Sequence, residues 1–475
     1  MLITIRGLYG IAFLVLISSC GSYYQVNHRF NQSFENGHLN DAIDILENNK
    51  KAEEGKARFL YFANLGVAHS ILGNYEISNE YLEQAYLFRE DYLKNYFLEA
   101  ASFVVNPNVL VYPGEDHEHL LLLYYKALNF LKLNKHEEAL VECRRLNLRL
   151  QQLSDKYKSE KKYQRDAFIH TLMGIIYQAD HDYNNAFIAY RNAVEIYQEE
   201  YTSMFGTVVP DQLKTDLLRS AHLSGFPEEV ARYEKVFDLK YEQDQSKGGD
   251  LVFFWHNGLG PVKAEWGINF FLIHGEGGLV NFKNEEFNFN FPFYLNEEED
   301  KDKKEGLEKV EVIRAAFPKY VERPPLFNQG FLEVNNQKHP LEEVENVDAI
   351  AKKVLRERMV IEFSKSLLRL GLKKATEYAA REKNEGLGAA IGIFNAITEK
   401  ADTRNWQTLP HSIHYTRVDL EEGSNEIKFR IVANKDEKLN QLHSFRFEVP
   451  KGETYFHTFH SLEITPSYQN PFYYN

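Results

Sequence analysis

The chain has 475 residues, 44% of them hydrophobic and 26% charged, with a formal net charge of −14. That balance fits a folded protein of two or three domains and excludes a disordered one. The acidity, without a compact basic patch, excludes a grip on nucleic acid and leaves no electrostatic pull toward anionic lipid headgroups.

The first element is an apolar run, Leu8 to Ile17, behind the lone basic residue Arg6. It is too short for a span of about 20 residues and fits the core of a secretory signal. The run ends Leu16-Ile17-Ser18-Ser19-Cys20, which reads as a lipobox. This predicts a signal peptide over 1–19, acylation of Cys20 with palmitate among its chains, and a tether over 20–29. Each acyl CH₂ buried in the bilayer contributes about 0.8 kcal/mol, so several chains hold the protein to a membrane. Gly21 in place of Asp after the cysteine points to an outer membrane, with the protein facing the periplasm. With Cys20 acylated, Cys143 has no partner for an intramolecular disulfide and reads as a small buried hydrophobe.

Residues 30–243 read as a helical repeat domain. The clearest unit runs from Phe168 to Ala193, and Gly174, Tyr177, Ala186, Tyr190 and Ala193 fall at the spacings of the 34-residue tetratricopeptide pattern. Small residues are required where the two helices of a hairpin cross closely, and large ones fill the hollows beside them. A second unit carries Gly66, Gly73, Ser78, Leu82 and Ala85, and a third Ala127 and Ala139. Weaker units surround Ala42 and Val230. The spacing is uneven, so insertions are expected, notably over Phe103 to His117.

After Gly248-Gly249 the period changes. Leu251 to Trp255, Trp266 to Ile273, Phe287 to Tyr294 and Val310 to Ala316 are short β-branched and aromatic runs punctuated by Gly, Pro and Asn. Phe287, Phe289, Phe291 and Phe293 recur every second residue and share one sheet face. Asn296 to Glu308 reads as a charged, solvated loop. Apolar positions at helical spacing return from Val347 to Arg381, and Gly386 to Ile397 is rich in small residues suited to close helix packing. Strands resume over Ser412 to Val418, Glu426 to Val432 and Leu442 to Val449. The fold class is therefore α+β: a tetratricopeptide-like α-solenoid, then an antiparallel β-rich domain over 250–346 and 402–475 with a helical insertion at 347–401.

Tyr112-Pro113-Gly114-Glu115-Asp116-His117-Glu118, leading into Tyr124 to Asn129, resembles the signature of an uncharacterised family of bacterial tetratricopeptide-repeat lipoproteins. Ala401-Asp402-Thr403-Arg404-Asn405-Trp406-Gln407-Thr408-Leu409-Pro410 and the helix holding Arg356-Glu357-Arg358 are similar to that family as well. Its members are often encoded beside lipoproteins resembling activators of penicillin-binding proteins. The resemblance implies a role in envelope or peptidoglycan maintenance, by association only.

Chemistry is sparse. His411-x-x-His414 and His457-x-x-His460 suggest metal chelation, but on strands residues three apart point to opposite faces, and no metal is predicted. Asp402, Arg404 and Trp406 form a candidate loop motif. Their structural reading is a turn bracketed by Asp402, paired with Arg404 and plugged by Trp406. The glycine-rich segments at Gly258 and Gly275 lack a following lysine and fit hairpin turns better than phosphate loops. No serine or zinc hydrolase motif appears and no cofactor is predicted. The preferred reading is a non-enzymatic cell-envelope scaffold whose repeat groove binds a protein or peptide. Alternatives are a SusD-like surface glycan-binding lipoprotein and a cryptic cell-wall hydrolase.

Overall fold

The computed structural model describes residues 25–96, 110–156, 165–242, 248–286, 288–294, 307, 310–383, 400–434 and 436–465. Cys20 and the expected signal peptide, positions 103–109 of the expected insertion, Phe287, positions 296–306 of the expected charged loop and the 386–397 stretch lie outside the described residues.

The helical half is a row of hairpins: α1 (25–35) with α2 (Leu39–Glu47), α3 (Arg58–Ile71) with α4 (Tyr75–Tyr96), and α5 (Asp116–Lys132) with α6 (His136–Lys156). It continues with α7 (Ala167–Ala179) and α8 (Tyr183–Ile196). A π-helical turn (Tyr197–Tyr201) and the short α9 (Thr202–Phe205) lead to α10 (Asp211–Leu223) and α11 (Pro227–Phe237). All five turns share one device. The amides of His38, Asn74, Lys135, Asp182 and Phe226 each donate to the carbonyl five residues earlier, closing the first helix with a Schellman cap. The residue just before each of these amides is left-handed: Gly37, Gly73 and Gly225 at φ +74°, +83° and +73°, Asn134 and His181 at +57° and +59°.

The small residues sit where the helices cross. A Cβ on Gly66 would lie 2.6 Å from Leu82, and one on Gly174 would lie 2.4 Å from the Tyr190 ring. Ala85, Ala127, Ala139, Ala186, Ala193 and Tyr190 are fully buried, while Tyr177 is half-buried. Buried Ser78 donates to Gly66 O at 2.6 Å and accepts from Asn129 Nδ2 at 2.7 Å, tying three helices together. Cys143 is fully buried, and burial pushes its thiol up.

Twelve strands form three four-stranded sheets among the described residues. The first has the order β12 (Thr454–Ser461), β1 (Gly249–Asn257), β9 (Ser412–Leu420), β8 (Glu342–Asn346). The second has the order β11 (Gln441–Val449), β10 (Gly423–Ala433), β6 (Phe327–Val334), β7 (Gln337–Pro340). The third has the order β4 (Phe289–Tyr294), β3 (Leu279–Asn284), β2 (Val262–His274), β5 (Val312–Val321). Pairing is antiparallel except for β1 with β12, which run parallel, Val252 opposite Phe456 and His256 opposite His460. That one parallel pair is the exception within the antiparallel β-rich domain expected from the sequence. A 37-residue helix, α12 (Val347–Lys383), packs its second half on the third sheet through Leu367 and Leu370.

Strand β1 explains the layering. Val252 and Phe254 join the helical core, whereas Leu251, Phe253 and Trp255 join a second core between the first two sheets. Both faces of β1 are therefore buried, as its unbroken apolar run requires. The first sheet lies against the inner helices of the hairpins: Tyr124 and Phe168 on one side meet Phe254 and His256 on the other. The repeat groove is not the open cradle expected from the sequence. The chain's own sheet fills it: Val252 and Phe254 of β1, Ile413 and Tyr415 of β9 and Phe456 of β12 join the apolar core of the helices.

Candidate functional site

The two loop motifs meet at the seam between helices and sheets. Tyr112 to Glu118 enters α5 by a sharp turn at Gly114 (φ +83°), where a Cβ would lie 2.6 Å from the Phe59 ring. Asp402 to Trp406 approaches the same place from the segment before β9. Arg404 is held twice by Asp402, Nε donating to Oδ1 at 2.8 Å and Nη2 to Oδ2 at 2.7 Å. Its Nη1 donates to Leu110 O at 3.1 Å, and its guanidinium lies 5.2 Å from the Tyr112 ring centre. Trp406 is buried edge-on to Phe59, with Nε1 donating to Thr408 Oγ1 at 2.8 Å.

Glu118 joins the two motifs. Its carboxylate accepts from Trp406 N at 2.6 Å, from the Tyr112 hydroxyl at 2.8 Å and from Glu115 N at 2.9 Å. Burial pushes Glu118 up to about 7, against the opposing pull of Lys263, the Trp406 N–H and the Tyr112 hydroxyl. Beside it, Glu115 accepts from Lys263 of β2 and Arg358 of α12, and Asp116 pairs with Arg89 of α4. Arg89 also donates to Gly114 O at 2.7 Å. The third family-like segment, Arg356 to Arg358, thus joins the other two through Arg358.

Two further polar centres lie along the seam. Arg417 of β9 pairs with Asp216 of α10 at 3.1 Å and with Asp250 of β1, while the Tyr415 hydroxyl donates to Asp216 at 3.2 Å. His256 of β1 faces the Tyr124 hydroxyl at 2.8 Å and His460 Nε2 at 2.7 Å. Burial holds His256 well below the ordinary histidine range, with His460 and Lys132 acting the same way. Lys132 donates to Phe456 O at 2.8 Å, and burial lowers it to about 7. Tyr197 and Tyr201, in the π-helical turn, reach β8: Tyr197 donates to Val344 O at 2.8 Å and Tyr201 to Glu345 Oε2 at 3.2 Å. A cavity of about 20 Å³ lies between α5, α7 and β8, lined by His117, Tyr124, Phe168 and Glu345. That is room for one water, not for a substrate.

The histidine pairs diverge. His411 Nε2 lies 3.3 Å from Glu322, whereas His414 meets Ser412 Oγ at 2.9 Å and packs on Trp255 with the ring planes tilted by 35°. His460 faces the helices, and His457 packs on Phe253 and Phe445 in the second core. Sequence reasoning takes Glu115 as part of a turn packed on the repeats and Glu118 as the start of the next helix, reaches Arg358 only through resemblance, and misses Lys263, His256, Asp216 and Arg417. One signal was available. A histidine closing Leu251-Val252-Phe253-Phe254-Trp255, in a strand buried on both faces, needs a polar partner in the interior.

No family model and no curated protein matches the sequence. Among solved structures, the chain is similar to MamA from Desulfovibrio magneticus RS-1 at 16% identity, covering 45% of this chain and 93% of that one with a TM-score of 0.29. It is similar to a Podosopora anserina putative kinesin light chain with nearly identical TPR-like repeats at 14% identity, covering 45% and 92%, TM-score 0.30. It is also similar to a Rap protein complexed with Competence and Sporulation Factor at 16% identity, covering 44% and 50%, TM-score 0.27. The tetratricopeptide-like character of the helical half rests on this chain's own five capped hairpins and close crossings, which together with the three sheets make an α+β protein.

Proposed function

We propose that this chain is a lipid-anchored, non-enzymatic scaffold of the bacterial cell envelope, acylated at Cys20 and binding a protein or peptide partner in envelope maintenance. One observation carries the reading: the motif residues are spent on one another. Glu118 holds three donors, Glu115 two cations, Arg404 a bidentate carboxylate, and all of these lie in a seam closed to solvent. Such groups register two halves of a molecule and leave no reactive atom for a substrate. The inner face being occupied, the partner meets an outer surface. Leu87 and Leu148 stand at equivalent places on α4 and α6, as do Val141 and Ile188 on α6 and α8, and all four are exposed.

The test has two arms. Palmitate labelling and membrane partitioning are expected for the wild type and lost in Cys20→Ala; a Cys20→Ala protein that still labels and pellets with membranes defeats the anchor. A photo-crosslinker at Leu148 is expected to capture one discrete envelope protein in cells, and Ile188→Asp to abolish that adduct. Crosslinking unchanged by Ile188→Asp defeats the outer-surface reading.

A further inference from the structure

A cluster directly after the second loop motif brings together three segments distant in sequence. Glu322 follows β5, Asp348 lies in the first turn of α12, and His411 precedes β9. One donor atom from each lies within 4.8 Å of the other two. The backbone fixes two of them: Asp348 N donates to His411 O at 3.2 Å, and His411 N donates to Asn257 O at 3.0 Å. The side chain of Asp348 is 6% exposed and that of Glu322 41%, so the cluster is closed at its base and open on the Glu322 side. Lys352, one turn along α12, sets its ammonium 2.7 Å from Glu322 and 2.6 Å from Asp348. The second oxygen of Asp348 and Nδ1 of His411 are buried without a protein partner. Buried polar atoms of this kind ask for a role beyond packing.

We propose that Glu322, Asp348 and His411 form a binding site for a divalent transition cation, with Zn²⁺ as its type. An imidazole with two carboxylates is a donor set suited to zinc, and three protein donors leave a position for water. The flexible Lys352 side chain, itself partly exposed, is the built-in competitor. It neutralises the two carboxylates when no metal is bound and swings toward solvent when the ion enters, so the site exchanges one positive charge for two. A bound ion ties the β5–β6 connection, the start of α12 and the start of β9 at one point, and so stiffens the junction between the third sheet and the first. The proposal is independent of the scaffold reading.

The test uses the full mature chain in detergent, stripped of metal and titrated with Zn²⁺ by calorimetry and with Co²⁺ by visible absorption. One equivalent is expected to bind the wild type, with a Co²⁺ d–d band. Lys352→Met is expected to bind about tenfold more tightly or better, and His411→Ala and the exposed Glu322→Gln about tenfold more weakly or worse. Glu322→Gln, at a partly exposed position, keeps the test valid if His411→Ala fails to fold. The proposal is overturned if the wild type shows no saturable one-to-one binding, even where Lys352→Met does, because the lysine is then the resident cation. It is equally overturned if binding survives unchanged in Glu322→Gln or in a folded His411→Ala.

Discussion

The two faces of strand β1 are both buried, yet they meet different chemistry. Leu251, Phe253 and Trp255 enter a core of Phe429, Phe445 and Phe459, where ring contacts and excluded water do the holding. Val252, Phe254 and His256 face helices across a seam studded with the Arg417, His256 and Glu118 centres. The apolar core tolerates many side chains of similar volume, because area and shape are its main demands beside the buried bond from Trp255 Nε1 to Ser461 Oγ at 2.9 Å. The seam admits few alternatives, since removing one buried partner strands another. Stability belongs to the first face and registration to the second.

The largest effects test that division directly. Trp255→Ala in the sandwich core is expected to cost about 3–5 kcal/mol in chemical denaturation, and no second truncation nearby should recover it. Arg417→Met is expected to cost a similar ~3–5 kcal/mol by leaving buried Asp216 without its ion pair and Asp250 with only Arg219, 3.9 Å away. Here the triple variant Arg417→Met, Asp216→Asn, Asp250→Asn should regain most of the loss. If it does not, the seam is held by packing like the core, and the contrast fails.

Acid and neutral pH sharpen the comparison next, with opposite signs at two places on the seam. His256 titrates below its unfolded range, so its contribution is full above about pH 6.5 and is lost as pH falls. Tyr124, Tyr125, His460 and Lys132 all face it, and none supplies a counter-charge. His256→Gln should flatten the acid limb of the stability curve by up to about 1.4 kcal/mol per pH unit. Glu118 titrates above its unfolded value, at about 7, so its contribution is full below about pH 4.5 and is lost as pH rises through 7. Glu118→Gln should remove that decline and leave the acid limb alone. Urea denaturation from pH 4 to 8 reads both variants. The smallest effect belongs to the repeats: Gly174→Ala forces a methyl against Tyr190 and is expected to lower stability by about 1–3 kcal/mol, measured by thermal unfolding.

What could be read from residue order follows how local its cause is. The turn at Gly73, the crossings at Gly66 and Gly174 and the alternation through Phe289, Phe291 and Phe293 are set within a few residues, and each was visible in the chain. The parallel pairing of β1 with β12 was not, because strand partners 200 residues apart leave no mark on either run. Asp402 and Arg404 read as a bracketed turn from their spacing; the structure shows them ion-paired, with Arg404 N also donating to Asp402 Oδ1 at 3.1 Å. That Trp406 N would donate to Glu118, 288 positions earlier, has no local cause. The divergence of His457 and His460 was legible, since a strand sends residues three apart to opposite faces. The company each keeps was not.

The parallel strand β12 has a consequence for how the protein is made. It flanks β1 in the sheet that covers the inner helices, and it spans Thr454–Ser461, with Thr454 opposite Asp250. During synthesis α5 therefore emerges long before β12, whose Phe456 carbonyl accepts from Lys132, 324 positions earlier, and apolar helix surface waits for that strand. A chain lacking residues 454–461 would leave the surface around Phe456 bare and open to chaperones and proteases, so the order of synthesis makes the docking of β12 a late step in folding.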